Sequence, residues 1–346
     1  MRRRKLIGGV LSCIAMLIII IDGKSAVSSI RGGIDLCLKT VIPALFPFFI
    51  LSGIMNSCFL GQTFRFLAPL QRLCKIPAGT ESILLIGLFS GYPVGAQLVS
   101  EAYAGKCLTK ENAMRMLGFC SNAGPAFIFG MLATAFTNPV IPWVLWGTHI
   151  VSGLTVGWLL PGGAIDTCAL EEKEVISVAK ALHNATKNIS SVCGWVILFR
   201  LMLDFCKGWF LWLLPDEIQV LFAGVMELTN GCVMLQQLES EGTRFILAAA
   251  MLSFGGLCVA MQTVSVTKGL GTGFYFPGKL LQMLFSVTIC CILEPFLFFG
   301  SAAVYIPKAF VILFIFLSGL SIYLLRRKKV VAFSGSMLYN NGNKSF

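Results

Sequence analysis

Ser90-Gly91-Tyr92-Pro93-Val94-Gly95 and Ser121-Asn122-Ala123-Gly124-Pro125 interrupt stretches that are otherwise apolar enough to enter a membrane. Proline lacks an amide hydrogen and clashes with the preceding helical turn, and glycine adopts backbone angles closed to other residues. Each stretch therefore predicts a helix end with bare N–H and C=O groups. In hydrocarbon such groups are costly unless protein, water or ligand satisfies them. Broken helices at membrane depth mark the binding sites of secondary transporters, so a carrier is the first expectation.

The rest of the chain supports a membrane reading. Of 346 residues, 56% are hydrophobic and 12% charged, against roughly 25% charged in a soluble domain. Apolar runs fall at 6–22, 41–60, 82–101, 113–137, 140–160, 185–206, 209–237, 244–267, 279–300 and 306–325. About 20 apolar residues span a bilayer, which predicts an all-α, polytopic membrane protein of about 8–10 helices. The first run follows Arg2, Arg3, Arg4 and Lys5 and is read as an uncleaved helix rather than a signal peptide. The net charge of +11 gathers at the chain ends, including Arg326, Arg327, Lys328 and Lys329. Basic flanks of spans explain it, and nucleic acid is excluded as a partner for want of any binding motif. With every run crossing, Arg65, Arg72, Lys75, Lys207 and Lys268 fall on one face and Glu171, Glu172, Glu174, Glu239 and Glu241 on the other.

The order of breaks repeats. Apolar residues 43–50 precede Gly91–Gly95 and then Asn122–Pro125; apolar residues 194–199 precede Glu227-Leu228-Thr229-Asn230-Gly231 and then Ser253-Phe254-Gly255-Gly256. Two similar halves with broken or re-entrant helices follow, divided as 1–40 (first membrane helix and amphipathic connection), 41–160 (first repeat), 161–184 (polar connection, with a short surface helix from Glu171 to Leu182), 185–300 (second repeat) and 301–346 (last helix and basic tail).

The candidate substrate-binding residues are those of the breaks. Ser90, Gly91, Tyr92, Pro93 and Gly95 form one helix end whose bare N–H groups suit an anion or a polar edge. Asn122, Gly124 and Pro125 form the next; the Asn122 amide either reads a ligand or caps the helix opened by Pro125. Glu227 follows seven apolar or small residues, and a carboxylate at that depth suits a coupling cation, proton or sodium, or a solute contact; Thr229, Asn230 and Gly231 add polar groups. Ser253, Gly255 and Gly256 permit either close packing or another break, and Gln262 is a further candidate. Arg200 and Asp204, one turn apart, are expected to pair. The thirteen cysteines are scattered, among them Cys13, Cys58, Cys193, Cys258, Cys290 and Cys291 in apolar runs, where they pack as small hydrophobes, and two isolated histidines make no zinc site, so no metal or cofactor is expected. Nucleotide-binding and hydrolase motifs are absent, which argues against an enzyme.

The blocks Ser90–Ala96, Leu108–Leu117 and Phe119–Ile128 together resemble the nucleoside-recognition (Gate) domain membrane proteins, in particular the YlbJ-type sporulation integral membrane proteins of endospore-forming bacteria. The resemblance extends to 227–231 and 253–256. It implies a multi-pass protein of the cell membrane or a forespore-associated membrane, needed for spore cortex formation, with two Gate-like repeats. It also implies a distant likeness to concentrative nucleoside carriers, whose ligands lie between broken helices. Ala123 stands where a second polar residue is expected in such a motif. The function expected is secondary transport of a small polar solute. The alternative is a non-transporting scaffold for spore-envelope assembly, and a homo-oligomer is compatible with either.

Overall fold

A computed structural model describes residues 2–162, 175–267 and 269–298, and among them all regular structure is helical. The chain opens with α1 (Arg2–Ile21) and α2 (Gly23–Leu36). Asp22 separates them, its carboxylate accepting the Ser25 N–H at 3.3 Å as a helix cap. A wide turn at Cys37–Val41 carries α2 directly into α3 (Ile42–Phe59). The expected connection before residue 41 is thus helix, continuous with the first span over Gly23–Phe59.

After the short α4 (Ala68–Cys74) come α5 (Glu81–Ser90) and α6 (Val94–Ala104), which fold back on each other. Gly87 and Gly95 face one another across this hairpin, and a Cβ on either would strike the Cys120 carbonyl. α7 (Lys110–Met116) and α8 (Pro125–Gly130) are two pieces of one discontinuous span. Thr109 caps the first piece through the Asn112 N–H, and Pro125 opens the second, where its missing N–H is no loss. α9 (Ile141–Leu159) closes the half.

The second half repeats the plan. α10 (Val178–Trp209), capped by Ser177, is its long helix. The surface helix expected up to Leu182 does not stand alone: residues from Val178 belong to α10, and Glu171–Glu174 lie outside the described residues. α11 (Asp216–Met226) and α12 (Leu228–Met234) form the second hairpin, pinched at Gly224 and Gly231, where no Cβ fits. α13 (Glu241–Phe254) and α14 (Gly256–Val266) form the second discontinuous span, parted by Gly255 and Gly256 at φ +81° and +79°. α15 (Tyr275–Leu297) ends the described chain; the run 306–325 and the basic tail lie outside it.

Counterparts pack on each other across the halves, α3 on α10 and α9 on α15. The protein is an all-α polytopic membrane protein. Runs 82–101 and 209–237, expected to cross, instead turn back at Tyr92–Pro93 and Glu227. Among the described residues, four helical stretches are long and apolar enough to cross a membrane: Gly23–Phe59, Val178–Trp209, Glu241–Val266 and Tyr275–Leu297.

Candidate functional site

The four breaks meet. At the first hairpin tip, Gly91 (φ +83°) lies against the backbone of Gly124 in the first discontinuous span, and a Cβ on either residue would crowd the other. At the second tip, the backbone of Gly224 and Leu228 lies equally close to Gly256. Tyr92 ties one half to the other: its hydroxyl donates to the Leu252 carbonyl at 2.8 Å, at the end of α13.

Lys279 stands at this junction, on the second turn of α15 and 1% exposed. Its ammonium donates to the Ser121 carbonyl, to Gln282 Oε1 at 2.7 Å and to Asn122 Oδ1 at 3.4 Å. The Tyr92 ring lies beneath it, 5.2 Å from the ring centre, a distance at which a cation is attracted to the aromatic face. Gln282 Nε2 donates to Asn122 Oδ1 (2.9 Å) and to the His149 carbonyl (3.1 Å). His149 Nε2 accepts the Ala123 N–H at 3.0 Å; its Nδ1 lies 3.3 Å from Ser253 Oγ. Since Nε2 accepts, the neutral ring carries its proton on Nδ1 and donates to the serine. One imidazole therefore joins the break of the first half to that of the second.

The unmet demand in this knot is specific. Among the described residues Lys279 makes no salt bridge, and Ser121 Oγ is buried without a hydrogen-bond partner. An ammonium drawn from water loses several kcal/mol of solvation unless an opposite charge restores it. Neutral oxygens restore part of that; an anion restores more.

The second hairpin tip is built differently. Glu227, 2% exposed, caps α12: its carboxylate accepts the Thr229 N–H (3.0 Å), the Asn230 N–H (2.7 Å) and the Asn230 side-chain amide (2.7 Å). Asn230 Oδ1 in turn accepts from Arg200, whose Nε pairs with Asp204 at 2.8 Å. The expected Arg200–Asp204 pair is present.

Most residues expected at a site are thus brought to the four breaks: Ser90, Gly91, Tyr92, Pro93 and Gly95 at the first tip, Asn122, Gly124 and Pro125 at the first span break, Glu227, Thr229, Asn230 and Gly231 at the second tip, Ser253, Gly255 and Gly256 at the second span break. Asn122 does not cap the helix opened by Pro125; the cap position is Gly124, and the Asn122 amide donates to the Phe119 carbonyl at 2.7 Å instead. Gln262 is buried but donates to Cys258 Sγ on its own helix (3.3 Å) and does not join the network. Sequence reading missed Lys279, Gln282, His149 and Ser121. A signal existed: Lys279, Gln282 and Ser286 share one face of an apolar helix, as do His149 and Ser152, and a polar stripe on such a face points inward. Among the described residues no three His, Cys, Asp or Glu groups converge on a metal position.

The chain is similar to the sporulation integral membrane protein YlbJ of Bacillus subtilis (strain 168), with 25% identity over 76% of this chain and 76% of the relative. No protein-family model matches the chain. No solved structure matches it.

Proposed function

We propose that the protein is a secondary transporter of a small anionic solute, bound where the four breaks meet. Lys279 carries the reading: a buried ammonium held by neutral oxygens only, flanked by a buried, unpartnered serine hydroxyl. A carboxylate or phosphate oxygen on Lys279 supplies the missing charge, and the hydroxyl of Ser121 donates to the same anion. The glycine-lined tips allow a ligand to approach main chain. Read as an inverted repeat, the two halves provide two gates around one fixed site, the architecture of alternating access. Tyr92, a residue of the first half bonded to the second, is the side chain whose movement opens the ammonium to the first hairpin.

The likeness to a protein named for sporulation supports a role in spore development, and we read that role as transport at cortex formation, as the family resemblance implies. The basic loops around Arg65, Arg72, Lys75, Lys106 and Lys110 face the cytoplasm by the positive-inside rule. Nucleosides, which the Gate resemblance brings to mind, carry no anion to meet Lys279 and are the contrast in the test. The test is uptake into proteoliposomes of labelled mono- and dicarboxylates, inorganic phosphate and nucleosides. Saturable uptake of a carboxylate or phosphate, lost in Lys279→Met while the variant stays monodisperse, supports the proposal. Uptake of uncharged nucleosides alone, or wild-type anion uptake by Lys279→Met, overturns it. Full spore maturation by Lys279→Met would instead favour the non-transporting scaffold.

A further inference from the structure

Away from the knot, a cavity of about 970 Å³ opens between α3, α6 and the start of α10. Val94 and Leu98 line its inner end, beside the first hairpin tip. Glu101 lies two turns beyond Val94 along α6, about 10 Å outward at 1.5 Å per residue. The cavity thus runs from the open end of the first hairpin, at Ala104 and Gly105, toward the break at its tip.

Its polar wall has a direction. Asn188 Nδ2 donates to Gln97 Oε1 (2.7 Å), Gln97 Nε2 donates to Glu101 Oε1 (2.8 Å), and Asn56 Nδ2 donates to Glu101 Oε2 (3.2 Å). The carboxylate, which can only accept, turns the Asn56 and Gln97 amides nitrogen-first toward itself. The Asn56 oxygen is left over: Oδ1 is buried with no hydrogen-bond partner, on a side chain of a residue 6% exposed. Among the described lining residues there is one carboxylate and no lysine, arginine or histidine. The wall is therefore rich in acceptors, carries one negative charge and has one orphaned oxygen beside it.

We propose that this cavity binds a monovalent cation at the Glu101 carboxylate, with the Asn56 amide turning over to present its oxygen to the ion. Hard oxygen donors suit sodium or potassium. A single carboxylate among neutral amides matches one positive charge, whereas a calcium site gathers six to eight oxygens and usually several carboxylates. The cation site does not need the anion site at Lys279. Where both hold, a cation beside Glu101 cancels the repulsion an anion meets on this route.

The test measures binding to the purified full-length chain with no solute present, so it fails or succeeds apart from the transport reading. Melting temperature is followed against sodium, potassium or choline chloride at constant ionic strength. The expected result is a saturable rise in sodium or potassium over choline, abolished in Glu101→Gln and shifted to about tenfold or more higher salt in Asn56→Leu. Identical curves in the three salts overturn the proposal, as does a wild-type response in Glu101→Gln or a response confined to magnesium or calcium. If Glu101→Gln does not fold, Asn56→Leu and the wild-type salt series decide the matter.

Discussion

Arg115 and Lys279 are both cations buried to 1% exposure, and both sit over an aromatic ring, Phe119 in one case and Tyr92 in the other, at 5.2 Å. Their partners separate them. Arg115 donates to the carbonyls of Cys74, Lys75 (3.2 Å), Gly157 (2.6 Å) and Leu160 (3.4 Å). These are the last carbonyls of α4 and α9, orphaned by the ends of those helices and carrying the negative pole of each dipole. The guanidinium answers a need the fold itself creates, with five fixed donors for a fixed set of acceptors. Lys279 answers no helix end. It reaches one carbonyl of an unwound strand and two side-chain amides, Asn122 and Gln282. The first cation is consumed by architecture, and the second is the one that the proposed anion would meet.

Substitutions can break that comparison. The largest effect falls on Arg115→Met, which leaves four carbonyls unpaired in the interior. A loss of about 3–5 kcal/mol is expected, as when one partner of a buried polar group is removed; aggregation in detergent or a steep fall in melting temperature shows it, and a variant as stable as wild type removes the structural role. Lys279→Met is expected to do the reverse. Its stability stays equal or rises, because apolar replacement of a buried charge is often neutral or favourable, while anion uptake is lost. Unfolding of Lys279→Met on the scale of Arg115→Met would make the two cations alike. Third comes Glu227, which caps a helix as Asp, Asn and Ser do elsewhere. Glu227→Ala should cost about 1–2 kcal/mol and Glu227→Asn clearly less, read from thermal unfolding of both; equal losses mean that the cap is not what Glu227 contributes.

The contrast also explains what could be read from residues alone. Breaks announce themselves locally: Gly91, Pro93, Gly124, Pro125, Gly255 and Gly256 forbid a smooth helix whatever surrounds them, and each marks or adjoins a helix end. Whether a broken run crosses or turns back is not local. Runs 82–101 and 209–237 have the length and apolarity of spans, and only the close pairing of Gly87 with Gly95 and of Gly224 with Gly231 makes them hairpins. The buried cations were hidden for the same reason. Arg115 follows Lys110 and Glu111 and reads as part of an exposed charged helix; Lys279 opens an apolar run, where a lysine ordinarily snorkels to the interface. Asn122 and Ser253 were legible as polar residues at breaks. That His149 spans between them depends on how α9 packs against α13, which no spacing within either helix encodes.

The smallest expected effect concerns that bridge. Ser253→Ala removes the acceptor of the His149 Nδ1 proton and touches no other hydrogen bond described for the knot. A neutral hydrogen bond of this kind contributes about 0.5–1.5 kcal/mol, so the variant should melt only slightly below wild type. Its effect on transport depends on what the bridge is for. If the bond merely fills a polar requirement, uptake is unchanged. If it couples the two breaks, the resting arrangement is less populated and the variant shows a changed apparent affinity for the anion with Lys279 intact. We expect the second outcome, because the ring has no other side-chain partner across the halves and Tyr92, the other tie, ends on a backbone carbonyl that the serine substitution leaves in place. Combining Ser253→Ala with Tyr92→Phe then tests the coupling directly: two ties between the same pair of halves should give a double variant whose affinity shift departs from the sum of the single ones.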